Sequence, residues 1–314
     1  MDNLAFVSVN VTFIAISVFA NVFFAFCLLC PQRGREGLKQ PMKTLLESLV
    51  CCTIVFLVSV IAIKYFLFTE HLKLRLAASM LVEYTFPTSM TTSVWLNFFY
   101  YTQIVPARRA LFTRVKRNIK IIIYWVLFIN RVLFLFDISL HIPAIVDLLN
   151  SASGNANGTY TSMNSTASAS PSALFYTETT RLVLKILYIF FGLCVVVGSS
   201  CATVRYLHRH MKSMKESGSP FSAPRLRSQM RATITGILQG ILYVICFLWL
   251  IFYVFKDFFF ITFDNNRNIF YTVLSLYTFG TTVNLGIGQS VFRQRAADIW
   301  LKAQQAVRLS ELRG

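Results

Sequence analysis

The chain has 314 residues, 55% of them hydrophobic and only 14% charged, with a net charge of +17. Soluble domains carry roughly 25% charged residues, and a soluble core of this length could not absorb so much apolar side chain, 30 Phe included. A bilayer can, because it hides apolar surface without needing interior volume. The surplus of basic charge would suggest nucleic acid if it were spread over a folded surface, but its placement excludes that partner.

Runs apolar enough to cross ~30 Å of hydrocarbon need about 20 residues. They occur near 6–30, 44–67, 78–104, 119–142, 182–207, 232–255 and 268–291. The first has no basic segment ahead of it and is too long for a cleaved signal, so it reads as a retained signal anchor. The third is the weakest, because Glu83, Pro87 and a Thr-rich stretch interrupt it. Beyond the seventh, Phe292, Ala296, Ile299, Trp300, Ala303 and Val307 recur at helical spacing, with Arg293, Arg295, Gln304 and Gln305 between them. That pattern predicts a short amphipathic helix along the inner membrane face within a cytoplasmic segment 292–314.

The basic residues orient the bundle. Segments 31–43, 105–120, 205–231 and 292–314 hold four, six, seven and five Lys or Arg, 22 of the 30 in the chain. The opposite side, comprising 1–5, 68–77, 143–181 and 256–267, holds five. Positive residues favour the cytoplasmic side, so the N-terminus is expected outside. Loop 143–181 then lies outside as well, with Asn-x-Ser/Thr acceptors at Asn157 and Asn164 in its polar Ser/Thr/Asn/Gly-rich part. Both are candidate glycosylation sites. The dense basic run around Arg108 and Arg109 suits anionic lipid headgroups.

Ionisable and amide groups inside the spans are costly and carry meaning. Arg131 lies mid-span beside Asn130, with Glu47 and Glu83 as candidate acidic partners. Lys64 and Lys185 sit near span ends, where they can snorkel. Asn21 is placed for a hydrogen bond to another helix, and Gly236 and Gly240 for close helix packing. Thr88, Thr91, Thr92 and Trp95 form one stripe, expected in the outer half of the third span, where it could line a cavity.

Catalytic signatures are missing: there is no GxSxG, no GxxxxGK, no HExxH and no selectivity-filter sequence. The seven cysteines all fall in or beside apolar runs, without CxxC or Cys/His spacing. No loop disulfide, metal site or cofactor is expected. Ligand sensing is what these exclusions leave.

Rhodopsin-like landmarks are also absent. The third span ends in Gln103-Ile104-Val105-Pro106 rather than Asp-Arg-Tyr, and the sixth has no proline. Leu207, His210 and Met214 fit the LxxHxxxM of the type 2 (bitter) taste receptors. Phe99 through Ile104 is similar to that family's FYxxKI, with Gln103 at the Lys. Phe112 and Val115-Lys116-Arg117 follow it, as in FxxLKxR. Met230-Arg231-Ala232-Thr233 and Gly240 through Tyr243 resemble the family's sixth span, and Asn21 matches the helix-one Asn. The chain departs from the family at Thr53, where LAxSR has Arg, at Thr281-Thr282, where the family has His-Ser, and at Gln289, where it has Asn. The run from Trp95 to Phe112 resembles fish members more than mammalian ones. A vomeronasal type 1 receptor shares the loop plan, and a seven-helix ligand-gated channel is the rival of another class.

The resemblance implies an all-α membrane protein: a seven-transmembrane-helix receptor of the plasma membrane that senses bitter small molecules. Its implied partner is a heterotrimeric G protein of the gustducin/Gi class. The cavity is expected between spans three, five, six and seven, at Thr88, Thr91, Trp95, Tyr188, Phe247, Ile251, Tyr271 and Leu274. The G-protein surface is expected at Gln103, Arg108, Arg109, Leu207, His210, Met214 and Arg231.

Overall fold

The structure is a computed structural model that describes residues 3–30, 40–106, 110–154, 171–216, 223–256 and 267–311. Among these residues the chain is all-helical: α1 (Asn3–Leu29), α2 (Met42–Phe68), α3 (Leu72–Ile104), α4 (Ala110–Arg117), α5 (Ile119–Gly154), α6 (Pro171–Glu216), α7 (Ala223–Phe255), α8 (Asn268–Gly288) and α9 (Ser290–Glu311). The end of the bundle where α8 begins is termed upper, and the end carrying α9 lower. α5 and α6 extend well into the expected loop 143–181, while Asn157 and Asn164 lie outside the described residues.

Five of these helices are long and apolar enough to cross a membrane: Ser8–Leu29, Met42–Phe68, Ile119–Ser139, Leu182–Ser213 and Met230–Phe255. Their outer faces are apolar, with Phe19, Trp125 and Leu248 left 79%, 60% and 60% exposed. A surface of that kind belongs in lipid rather than water. α3 and α8 fall short of the same apolarity because of where they sit. α3 packs on α2, α5, α6 and α7, and its Ser and Thr residues from Thr85 to Ser93 are buried. α8 packs on α1 and α7 and buries Ser275, Thr278, Thr281, Thr282 and Asn284. A helix surrounded by protein does not need the apolar face that lipid demands. The arrangement is consistent with a seven-span bundle.

Local chemistry closes the elements. Between α2 and α3 only Thr69–Glu70–His71 intervene, and Glu70 takes a left-handed φ of 59° to turn the chain back. Pro87 lies inside α3 and leaves it one backbone hydrogen bond short, since it lacks the N–H that would bond one turn back. The apolar core divides into an upper cluster around Phe56, Phe86, Met90, Tyr243 and Leu274 and a lower one around Leu45, Leu49, Ile123, Leu285 and Phe292. α9 is seated on the lower end by Phe292, which is fully buried and stacks on Phe24 at 4.3 Å.

Candidate functional site

A cavity of about 400 Å³ lies between the upper halves of α3, α6, α7 and α8. That volume is within the range of small-molecule sites. Val82, Phe86 and Met90 from α3, Ile186 and Ile189 from α6, Phe247, Leu250 and Ile251 from α7, and Phe270, Tyr271 and Leu274 from α8 form its walls. Ser79, Glu83, Lys185 and Arg267 supply polar groups among them. Rings brace the wall on the α8 side: Tyr253 lies 4.3 Å from Phe270, which meets Tyr271 edge-on at 5.6 Å.

The cations near the cavity are held in place. Lys185 pairs with buried Asp137 at 3.1 Å and so ties α6 to α5. Lys64 hydrogen-bonds Asn268 and stands 5.4 Å above the Tyr271 ring. Snorkelling was the expectation for both lysines, but each instead has a partner inside the bundle. Desolvating a charge is tolerable only where it is paired or hydrogen-bonded. Beneath the cavity, Tyr243 donates to the Ile189 carbonyl at 2.9 Å, and Phe86 meets Tyr277 edge-on at 5.6 Å. Gly192 makes this floor possible, because a Cβ there would lie 2.5 Å from the Tyr243 hydroxyl oxygen.

Four of the eight expected ligand residues line this cavity: Phe247, Ile251, Tyr271 and Leu274. Thr88, Thr91, Trp95 and Tyr188 do not. The hydroxyl stripe of α3 is engaged by its own helix, with Thr88 donating to the Tyr84 carbonyl at 2.6 Å and Thr92 to that of Thr88 at 2.6 Å. Thr91 and Tyr188 converge instead on the buried Asn130 Oδ1, at 2.9 and 3.1 Å. Trp95 is not in the outer half. α3 spans Leu72–Ile104, so Thr88 is its midpoint and Trp95 lies about 10 Å below it. There Trp95 meets Phe98 at 5.5 Å against the lower core.

Arg131 has neither expected acid as its partner. Its guanidinium donates to Ser48 Oγ at 3.3 Å from an exposed position on α5, while Glu47 pairs with Lys43 at 3.5 Å. Glu83 stands on the cavity wall. Asn21 bridges α1 to α8 by donating to Thr282 Oγ1 at 2.9 Å. Toward the lower end, Gln103 and His210 are exposed, Arg231 is half-buried and Leu207 is buried. Arg108 and Arg109 lie outside the described residues, and Met214 is on α6 with its side chain outside the description.

Sequence reasoning missed the polar network below the cavity floor. Gln239 donates to Ser93, Tyr277 and Thr281 at 3.1, 3.2 and 3.3 Å, and accepts from Asn284 at 3.1 Å. Asn97 donates to Ser200 at 3.0 Å. Asn97, Gln239 and Asn284 are each amides within a membrane-length run, which was the available signal. Asp137 was missed in the same way.

A search of curated proteins finds no match. The family model described as taste receptor protein (TAS2R) matches residues 2–304. That match covers nearly the whole chain and favours taste receptors over the vomeronasal alternative. It is carried on a helical bundle with membrane-length apolar helices, whose members are receptors rather than enzymes. The chain belongs to the TAS2R taste receptor family of G-protein-coupled receptors.

Proposed function

We propose that the chain crosses the plasma membrane seven times with its N-terminus outside, and that the upper cavity binds bitter small molecules. From its lower end it activates a heterotrimeric G protein of the gustducin/Gi class. The observation that carries this reading is the cavity of about 400 Å³, walled by aromatic and aliphatic side chains with a few polar groups, at the end opposite α9. Such a lining suits mostly apolar ligands with one or two polar anchors. The concentration of Lys and Arg in segments assigned to the lower side supports its placement in the cytosol.

Agonism requires a ligand that binds one packing of the helices better than another, since equal affinity shifts nothing. Phe247 and Ile251 on α7 and Tyr271 and Leu274 on α8 are the side chains through which a guest would bias those helices. Gln103, Leu207, His210, Met214 and Arg231, with Arg108 and Arg109, form the G-protein surface. α9 lies along the inner membrane face, seated by Phe292, with Trp300 and Val307 toward lipid. Asn157 and Asn164 carry glycans.

The test is intracellular calcium in cells expressing the chain with a gustducin-like Gα chimera, challenged with a bitter panel with and without a phospholipase C inhibitor. A dose-dependent rise abolished by the inhibitor is expected. A current that survives without the Gα and with the inhibitor would overturn the receptor reading in favour of a channel. His210→Ala is expected to weaken signalling while surface expression holds.

A further inference from the structure

Below the cavity floor a second, smaller void of about 40 Å³ lies between α2, α3, α7 and α8. Four amides and four hydroxyl residues stand in its lining among Leu49, Leu96 and Leu285. Asn284 is 6% exposed and spends its amide N–H groups on the Thr235 carbonyl at 2.9 Å and on Gln239 Oε1 at 3.1 Å. Its Oδ1 has no donor among the described residues. Asn97, 7% exposed, donates from Nδ2 to Ser200 Oγ and the Gly236 carbonyl at 3.0 and 3.4 Å. Both of these bonds leave from Nδ2, and its Oδ1 lies against Gly236 on the wall of the void. The backbone carbonyls of Thr235 and Gly236 settle which end of each amide is the nitrogen, because a carbonyl cannot donate. Tyr100, on the same void, accepts from Gln289 Nε2, and its own proton has the Met42 sulfur at 3.9 Å, a weak acceptor.

We infer that this void is a water-binding site. A void of this size has room for one to about three waters, and a buried water needs two to four polar partners. The two amide oxygens accept a water's two protons, and the Tyr100 hydroxyl donates to its oxygen. An unpaired buried carbonyl is costly, and ordered water is the usual remedy where the space is polar and large enough. None of the lining residues carries a formal charge, which favours a neutral ligand over a cation. The bound water joins Asn97 on α3 to Asn284 on α8, beside Gly236 on α7. Gly236 must lack a side chain, since a Cβ there would lie 2.6 Å from Asn97 Oδ1. The lower halves of three helices are thus coupled through a removable molecule. This inference does not depend on the identity of any agonist or G protein.

Radiolytic hydroxyl labelling with mass spectrometry on the purified full chain in nanodiscs tests it, because bound water generates radicals at the side chains beside it. Leu96 and Leu285 line the void, whereas Leu127 and Leu207 do not, and all four are 6% exposed. Leu96 and Leu285 are expected to label several-fold faster than Leu127 and Leu207. Asn284→Leu removes one acceptor and fills the space, and should bring Leu96 down to the rate of Leu127. Asn97→Leu repeats the test from α3 if the first variant does not fold, and the wild-type comparison needs no variant. Equal labelling of the four leucines in the wild-type chain overturns the site. So does a difference that vanishes when sodium is replaced by choline, since that result assigns the void to a cation.

Discussion

The upper and lower halves of the bundle are built by the same helices, yet they leave very different spaces. Above, α3, α6, α7 and α8 enclose about 400 Å³ lined mainly by hydrocarbon and rings. Below, α2, α3, α7 and α8 enclose about 40 Å³, where four amides and four hydroxyl residues stand among Leu49, Leu96 and Leu285. α7 is one example, presenting Phe247 and Ile251 to the upper space and Gly236 and Gln239 to the lower. Amides draw helices to hydrogen-bonding distance and lock their rotation, so the space between them shrinks toward the size of water. Apolar walls have no directional bond to make across a gap, and a gap between them can hold an apolar guest. The floor of Tyr243 and Tyr277 separates the two regimes.

The comparison is broken most severely at Gln239. Gln239→Leu removes the acceptor of one Asn284 N–H and the donor to Ser93, Tyr277 and Thr281 in a buried setting, and should cost about 3 kcal/mol. A lowered melting temperature of the detergent-solubilised chain is the expected result, and an unchanged one would show that the lower half is not held by this network. Trp95→Ala, in the lower core, should cost about 2 kcal/mol of stability, less than a fully buried Trp because Trp95 is only half-buried. Its agonist potency should stay put, and a clear loss of potency at normal surface expression would place the ligand below Thr88. Phe247→Ala on the cavity wall should lower potency about tenfold, equivalent to about 1.4 kcal/mol. A dose response matching the wild type would remove Phe247 from the site. Arg131→Leu should shift stability by less than about 1 kcal/mol, because the lost bond to Ser48 is offset by relief of a charge on the outer face of α5. A large drop in the melting temperature would give Arg131 a structural weight that its exposed position does not suggest.

Much of the architecture was legible in the sequence because lipid imposes a simple rule. α1, α2, α5, α6 and α7 have broad faces toward lipid, and their long apolar runs announce them. α3 and α8 were harder to read because protein surrounds them, and the Thr and Ser residues that lower their apolarity are turned inward. The site was only half legible, for a related reason. Phe247, Ile251, Tyr271 and Leu274 follow from placing the upper ends of α7 and α8 together. The α3 stripe misled because a Thr hydroxyl in a helix can satisfy itself on the carbonyl one turn back, as Thr88 does on Tyr84 at 2.6 Å. A hydroxyl bonded in that way has no need of a ligand. The acid expected for Arg131 failed similarly, since a guanidinium can be met by a neutral hydroxyl one helix away.

By itself the sequence determined the class of environment, the number and approximate limits of the apolar runs, the side on which basic charge collects, and the motifs that mark the taste receptor family. Each of these is a property of composition along the chain, and the bilayer reads composition directly. Only the tertiary structure decided which polar groups meet. Gln239 and Ser93 are 146 residues apart and hydrogen-bond at 3.1 Å, and nothing in either helix taken alone requires it. Each residue turns a helix by about 100°, so a small change in rotation sends an amide to lipid, to its own backbone or to a neighbour. Packing against the neighbouring helices, α3, α6 and α8 for α7, selects that rotation, and with it the place where the bundle leaves room for a guest.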